Sequence, residues 1–288
     1  MFENNHGTAP GAALEKNGKC VIILPGPPGE LVPMFNESVR GFLKKYSDGA
    51  IVSHTVNIIG MGESSVAEEI EDMFDAKNPT VAPYAKSGEV RLRITAKAET
   101  ADEADKMCAP VVDEICSRLG DVVYGTDMNS IEERVVALLK EKGKKIATAE
   151  SCTAGYIPKR LTDIPGASEV FECGIVSYSN DIKTKLLGVS PKTLETYGAV
   201  SEQTAREMAL GAKHVSGADI AISTTGLAGP GGDGVLPGGL SFAAVTDGER
   251  TVVEKIVTGH GNDREYNRYV TASRALNLAR LMLEEKMK

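Results

Sequence analysis

Lys144-Lys145-Ile146-Ala147-Thr148-Ala149-Glu150-Ser151-Cys152-Thr153-Ala154-Gly155 is the stretch around which the chain is organised. The short apolar run from Ile146 to Ala149 stops at Glu-Ser-Cys-Thr, and small residues follow. That pattern predicts a strand ending abruptly, with a helix starting beyond it. In an open α/β sheet, ligands gather at the carboxyl ends of strands. A helix N-terminus there presents free backbone N–H groups and a positive dipole end. A serine at such a corner is either an N-cap or a nucleophile. The residues alone leave both readings open.

Outward from this point the chain alternates helix and strand. Ahead of it, Ser130 caps a helix with Ile131, Val135, Leu138 and Leu139 inward, closed by Gly143. Behind it, a helix carrying Ile157 and Leu161 runs into the turn Asp163-Ile164-Pro165-Gly166. A strand from Phe171 to Tyr178 leads to Ser179 and Asn180. Lys183 and Lys185 then sit on a short helix closed by Gly188. Ser201 caps a helix through Val215, and Ala218 to Thr224 is the next strand. A glycine-rich loop from Thr225 to Gly239 follows, then strands at Leu240–Thr246 and Thr251–Thr258. A long last helix begins near Asp263 and carries Arg264 and Arg268. The rhythm predicts an α/β domain over residues 126–288.

The upstream chain divides in two. Residues 1–48 hold a Gly/Pro loop (Asn5 to Gly11), a buried-type strand Val21–Leu24 and a turn at Pro25–Glu30. A helix to about Lys45 follows, with Leu31, Met34, Phe35, Val39, Phe42 and Leu43 on one stripe. One strand and one helix do not close a core, so this piece is expected to be part of a larger domain. Residues 49–125 are expected to form an α+β domain. Strands are predicted at Ile51–Ile59, Thr80–Tyr84 and Glu89–Ala98, and helices at Ser64–Phe74 and Ala101–Arg118. Along Glu89–Ala98, Val90, Leu92, Ile94 and Ala96 alternate with Arg91, Arg93, Thr95 and Lys97.

Composition narrows the function. With 288 residues, 42% hydrophobic and 25% charged, the chain has enough apolar content for sizeable cores. It has no apolar run long enough for a membrane span and no signal-peptide pattern at its start. A formal charge of −8 argues against nucleic acid or an anionic membrane as the main partner. Five scattered cysteines without CxxC spacing fit reduced thiols in a cytoplasm, the expected location. The four histidines are scattered too, and no metal site is predicted.

Three groups carry candidate chemistry besides Ser151. The glycines of the 225–239 loop let backbone approach a ligand, and free N–H groups there can cradle a phosphate or an oxyanion. Tyr178, Asn180 and Lys183 follow a strand end that can share an edge with Ser151. A lysine deprotonates a serine only if its own pKa falls, and a nearby phenol could relay the proton. Arg264 and Arg268 share a helix face, and a guanidinium suits a phosphate.

Four pieces then occur in order: Ala149-Glu150-Ser151-Cys152-Thr153-Ala154-Gly155, Gly174-Ile175-Val176-Ser177-Tyr178-Ser179-Asn180, Gly198-Ala199-Val200-Ser201, and Ser223-Thr224-Thr225-Gly226-Leu227-Ala228-Gly229-Pro230-Gly231-Gly232. Together they resemble the C-terminal domain of the CinA family, over roughly residues 127–288. Residues 50–122 resemble that family's central KH-like domain. Asn5–Gly11 and Leu24–Met34 resemble the end of its molybdopterin-binding-like N-terminal domain, most of which is not in this chain. The fold class implied is α/β, a C-terminal sandwich-type domain preceded by a small α+β KH-like domain and the remnant of an N-terminal α/β domain.

The resemblance implies nicotinamide-nucleotide amidase activity: nicotinamide mononucleotide hydrolysed to nicotinate mononucleotide and ammonia, in pyridine nucleotide salvage. It implies Ser151 as nucleophile, helped by Tyr178 and Lys183. Thr153, Asn180, Thr225, Gly226 and Gly229 are candidates for holding the substrate, with Arg268 and Arg264 for its phosphate. The reaction needs no cofactor or metal. A homodimer is the expected assembly. Two rivals remain. Cys152 beside Ser151 is an alternative nucleophile. A non-catalytic nucleotide-binding or regulatory, competence-related module is the alternative function.

Overall fold

The computed structural model describes residues 1–46 and 48–287. The chain divides into two compact units, Met1–Val52 with Lys97–Ala104, and Ser53–Ala96 with Asp105–Lys288.

In the first unit, β1 (Ala12–Lys16) and β2 (Lys19–Ile23) form an antiparallel hairpin around Asn17 and Gly18, both at positive φ. A helical run follows, α1 (Pro28–Met34) and α2 (Arg40–Leu43), joined by a wider π-turn at Phe35–Val39. Phe2, Met34 and Val39 form its small core, with Ile22, Leu24 and Phe42 against them. The predicted buried strand is corrected here. Val21 is 59% exposed, because a two-stranded ribbon has one covered face and one open one.

The second unit begins with a four-stranded sheet in the order β4-β5-β3-β6, from β3 (Ala50–Ile59), β4 (Thr80–Lys86), β5 (Glu89–Ala98) and β6 (Val123–Thr126). The short helix α3 (Glu63–Glu69) follows β3, and the long helix α4 (Ala101–Leu119) follows β5. Val90, Leu92, Ile94 and Ala96 are buried, as their alternation predicts. The basic face opposite them is engaged within the protein: Arg91 Nε donates to Asn57 Oδ1 at 2.7 Å, and Arg93 lies over the Tyr84 ring. β6 was not predicted. Four residues are too few for alternation to show, and the strand exists because β3 offers an antiparallel partner.

The remainder follows the predicted alternation. α5 (Ile131–Lys142) is capped by the Ser130 hydroxyl and closed by Gly143 in the left-handed region. Then come β7 (Ile146–Glu150), α6 (Tyr156–Thr162), β8 (Phe171–Val176), α7 (Asn180–Leu187), α8 (Pro191–Tyr197), α9 (Glu202–Ser216) and β9 (Ile220–Gly226). β10 (Leu240–Thr246), β11 (Thr251–Val257) and α10 (Arg264–Leu283) complete it. The strands form one sheet in the order β11-β10-β9-β7-β8. β7 is parallel to both neighbours, whereas β10 is antiparallel to β9 and β11.

Both faces of this sheet are covered, so its central strands are buried on each side. Ile146, Ile220 and Ile222 pack with Leu139, Leu161 and Leu276 from α5, α6 and α10. Ala147, Ala149 and Ala221, one residue out of phase, pack with Leu187, Met208 and Ala212 from α7 and α9. Small strand residues let α9 sit close. A Cβ at Gly211 would lie 2.0 Å from Leu187 O, so only glycine admits this α9–α7 approach.

Polar contacts bind the two sheets into one unit. The fully buried Arg280 on α10 donates to Asp121 O at 2.6 Å and Val123 O at 3.3 Å. Glu89 on β5 accepts from Tyr124 Oη at 2.9 Å and from Tyr269 Oη on α10 at 3.2 Å. On β3, His54 Nδ1 lies 2.6 Å from Asp127 Oδ2, and its Nε2 lies 2.9 Å from Asp105 Oδ1.

The two carboxylates, Asp127 first, raise the His54 pKa above its ordinary 6.5. Stability from this group is therefore fully present below about pH 6.5 and is lost as pH rises through the raised value. We predict that urea unfolding between about pH 6 and pH 8.5 will show wild type losing roughly 0.2–1 kcal/mol that His54→Gln does not lose. Parallel pH profiles for the two proteins would refute this.

Candidate active site

β7 lies between β8, which follows it in sequence, and β9, on its other side. The strand order reverses there, so the carboxyl ends of these three strands open onto one crevice. Ser151 ends β7, Ser177 and Tyr178 end β8, and Thr225 and Gly226 end β9. These ends and the glycine loop line a cleft of about 330 Å³.

Ser151 is not a helix cap. The N-cap of α6 is Gly155, four residues on, without a side chain. Between them the backbone makes a tight corner with Ala154 at φ +50° and Gly155 at φ +85°. Positive φ at a non-glycine residue is costly, and such residues cluster at functional sites. Ser151 N–H donates to Thr224 O on β9 at 2.9 Å, which fixes the residue to the sheet while its side chain faces the cleft.

Lys183 comes to Ser151 from α7. The Ser179 hydroxyl caps this helix, and Lys183, one turn in, points back under the corner. Its Nζ is 3.1 Å from Ser151 Oγ, 2.9 Å from Ser177 O and 3.3 Å from Tyr178 O. It is 1% exposed and has no carboxylate partner among the described residues. Burial therefore pulls its pKa below the ordinary lysine value.

Cys152 is also buried, and desolvation pushes its thiol up to about 12. A protonated thiol is a poor nucleophile. Glu150, fully buried at the end of β7, is raised above the usual carboxylate range, again by desolvation first. Its Oε2 accepts from Ile157 N at 3.2 Å.

The other predicted residues separate. Thr225 lines the cleft, but its hydroxyl donates to Ala199 O at 2.6 Å. Gly226 and Gly229 line it as well. At Gly226 a Cβ would lie 2.4 Å from Ser241 Cβ. The loop is pinned rather than loose: Gly231 N–H donates to Gly261 O at 3.0 Å, and Asp233 Oδ1 accepts from Val235 N and Leu236 N. Arg264 stands at the cleft mouth, donating to Gly229 O at 2.9 Å and reaching Tyr178 Oη at 3.5 Å. The Tyr178 phenol is 62% exposed, and only the Tyr178 carbonyl bonds Lys183 among the described contacts.

Thr153, Asn180 and Arg268 are not among the residues lining this cleft. Thr153 is buried, its hydroxyl 2.6 Å from Thr224 Oγ1. Asn180 is the exposed first residue of α7. Arg268 Nη2 donates to Thr153 O at 2.7 Å, from behind the corner. Sequence reading also missed Ala199 and Val200 as a cleft wall. Their only signal was the Gly198–Ser201 motif, whose backbone contribution leaves no chemical trace in residue types.

Comparison with known proteins places the chain. Residues 128–283 match the CinA C-terminal domain, and residues 53–125 match the damage-inducible protein CinA KH domain. A putative competence-damage inducible protein of Clostridium beijerinckii is 53% identical over 265 residues, covering 91% of this chain and 65% of that protein. A CinA-like protein of Desulfovibrio desulfuricans is 46% identical over 283 residues, covering 97% of this chain and 66% of that protein. The chain thus spans a little under two thirds of these relatives. Among solved structures, the competence/damage inducible protein CihA of Agrobacterium tumefaciens is similar with a TM-score of 0.51 and 38% identity, over 54% of this chain and 93% of that one. A CinA superfamily protein of Escherichia coli gives 0.50 and 32%, over 54% and 92%. With its C-terminal and KH domains both matched and relatives of this closeness, the chain belongs to the CinA family.

Proposed function

We propose that this protein is a serine amidase that hydrolyses the carboxamide of nicotinamide mononucleotide, releasing nicotinate mononucleotide and ammonia. The observation that carries the reading is Lys183 Nζ, buried without a carboxylate and 3.1 Å from Ser151 Oγ. A lysine in that setting is disposed to be neutral, and a neutral amine is a base.

The chemistry follows from these positions. Neutral Lys183 takes the Ser151 proton as Oγ attacks the carboxamide carbon. The carbonyl oxygen becomes an oxyanion. Ser151 N–H is already used by Thr224 O, so the next amide, Cys152 N–H, is the donor we assign to it. The C–N bond breaks, Lys183 gives its proton to the leaving ammonia, and an acyl-serine ester remains. Water attacks the ester with Lys183 again as base. The acid departs, and the proton returns to Ser151 Oγ. The carbonyls of Ser177 and Tyr178 hold Nζ throughout.

Arg264, which lines the cleft, is the phosphate ligand in this reading. The exposed Tyr178 ring beside it offers a face to the cationic pyridinium. Lys183 alone then serves as base.

Ammonia release is the test. Ser151→Ala and Lys183→Met should each lower kcat by about 10³-fold or more while remaining folded. Nucleotide binding without turnover in wild type would instead make the chain a binding module. Because the neutral amine is the active form, kcat/KM should fall as pH drops through the Lys183 pKa, and that acid limb should lie below about 10.5.

Cys152 gives an independent prediction. With its thiol held protonated, Cys152→Ser should keep activity within about fivefold, and a maleimide should modify the native protein at Cys152 far more slowly than the unfolded chain. Loss of activity in Cys152→Ser with Ser151→Ala still active would transfer the nucleophile to the cysteine.

A further inference from the structure

Arg264 and Arg268 lie one turn apart on α10 and share a face, yet they serve different places. Arg264 lines the cleft. Arg268 reaches behind the Ser151 corner, where Nη2 donates to Thr153 O at 2.7 Å and its guanidinium lies 5.6 Å from the Tyr156 ring centre. A guanidinium spent on a backbone carbonyl outside the cleft is badly placed to meet a substrate phosphate.

Glu150 approaches the same corner from the other side. It is the last residue of β7, with 0% exposure. Its carboxyl accepts the Ile157 amide at 3.2 Å and is bonded by the Thr153 side chain. The first amides of a helix need acceptors. Gly155, the N-cap, supplies no side chain, so Glu150 reaches across seven residues to do it.

Two further atoms mark this corner. Glu150 Oε1 and Arg268 Nε are both buried and both without a hydrogen-bond partner among the described residues. They belong to groups of opposite charge within electrostatic range. Unsatisfied buried polar atoms cost about 1–3 kcal/mol each. An apolar pair would fill the same space without that cost, so stability alone does not explain these residues.

We infer that Glu150 and Arg268 are positioning residues that clamp the Ser151–Gly155 corner from its two sides, Glu150 through the amides opening α6 and Arg268 through the Thr153 carbonyl. Ser151 Oγ and the Cys152 N–H sit on this corner, so its rigidity sets the aim of both nucleophile and oxyanion donor. A displacement of about 1 Å in such groups can cost about 10²-fold in rate. The inference rests on the serine-amidase reading for its kinetic consequence and on the geometry for its mechanical one.

The test uses the full chain with Arg268→Met, Arg268→Lys, Glu150→Ala, Glu150→Gln and, as comparator, Arg264→Gln. With nicotinamide mononucleotide, Arg268→Met should lower kcat at least about tenfold with KM within about threefold. Arg264→Gln should do the reverse. Hydrogen exchange at residues 151–158 should accelerate at least about tenfold in Arg268→Met and Glu150→Ala, with α9 unchanged. The conservative variants Arg268→Lys and Glu150→Gln, which keep a donor and an acceptor, should restore protection in part. A rise in KM with kcat preserved in Arg268→Met would overturn the inference and make Arg268 a substrate ligand. So would unaltered exchange at the corner in both truncating variants. If wild type releases no ammonia, the amidase reading fails, and the exchange arm still decides the clamp.

Discussion

An amine buried among neutral oxygens is the constraint on which this site depends. Lys183 Nζ sits between Ser151 Oγ and two main-chain carbonyls, with no described carboxylate to pair it. A fully charged ammonium there would bear a large desolvation penalty. A neutral one bears little, and is a base at moderate pH. The fold meets this requirement with backbone: strand ends supply carbonyls whose positions are set by sheet registry, not by rotamers. Ser177 N–H is itself bonded to Glu150 O at 2.8 Å, so the carbonyl that holds Nζ is tied to the strand that presents Ser151.

The same logic explains why the sheet is buried on both faces. The crevice forms only where β8 and β9 flank β7 in parallel, and parallel central strands need helices on each side. The packing reflects this in opposite residue sizes. Large Ile146, Ile220 and Ile222 face α5, α6 and α10, whereas Ala147, Ala149 and Ala221 face α7 and α9. The small face lets α9 lie close to the strands and α7 close to α9, with Gly211 against Leu187 O. α7 is the helix that carries Lys183. The alanines of β7 thus act at a distance on the reach of the base.

Much of this was legible in residue types. Helix ends were read from Ser130, Gly143, Gly188, Ser201 and Asp263, because caps and left-handed closures have a narrow chemistry. The Ser151–Lys183 pairing followed from two strand ends sharing an edge. What failed to show has physical reasons too. The exposed side of β2 is invisible in an apolar run whose partner surface is unknown. β6 is too short for periodicity and is defined by its pairing with β3. Arg264 and Arg268 are equivalent by helical spacing, and only the tertiary position of the Thr153 carbonyl separates them. Glu150 looked like an ordinary strand terminus, since a sequence does not say which carboxylate will be buried.

These misses share a form: each concerns a group whose partner is main chain. Ala199 O, Thr224 O, Ser177 O, Thr153 O and the Ile157 amide all hold site residues in place. Any residue can supply a carbonyl or an amide, so such partners leave no compositional mark. Side-chain roles in this domain can be guessed from a motif, but the aim of those side chains is set by backbone geometry. A corner with Ala154 at φ +50° is the plainest case. Nothing in an alanine announces a strained conformation, and the strain persists only because Thr224, Arg268 and Glu150 restrain the same five residues from three directions.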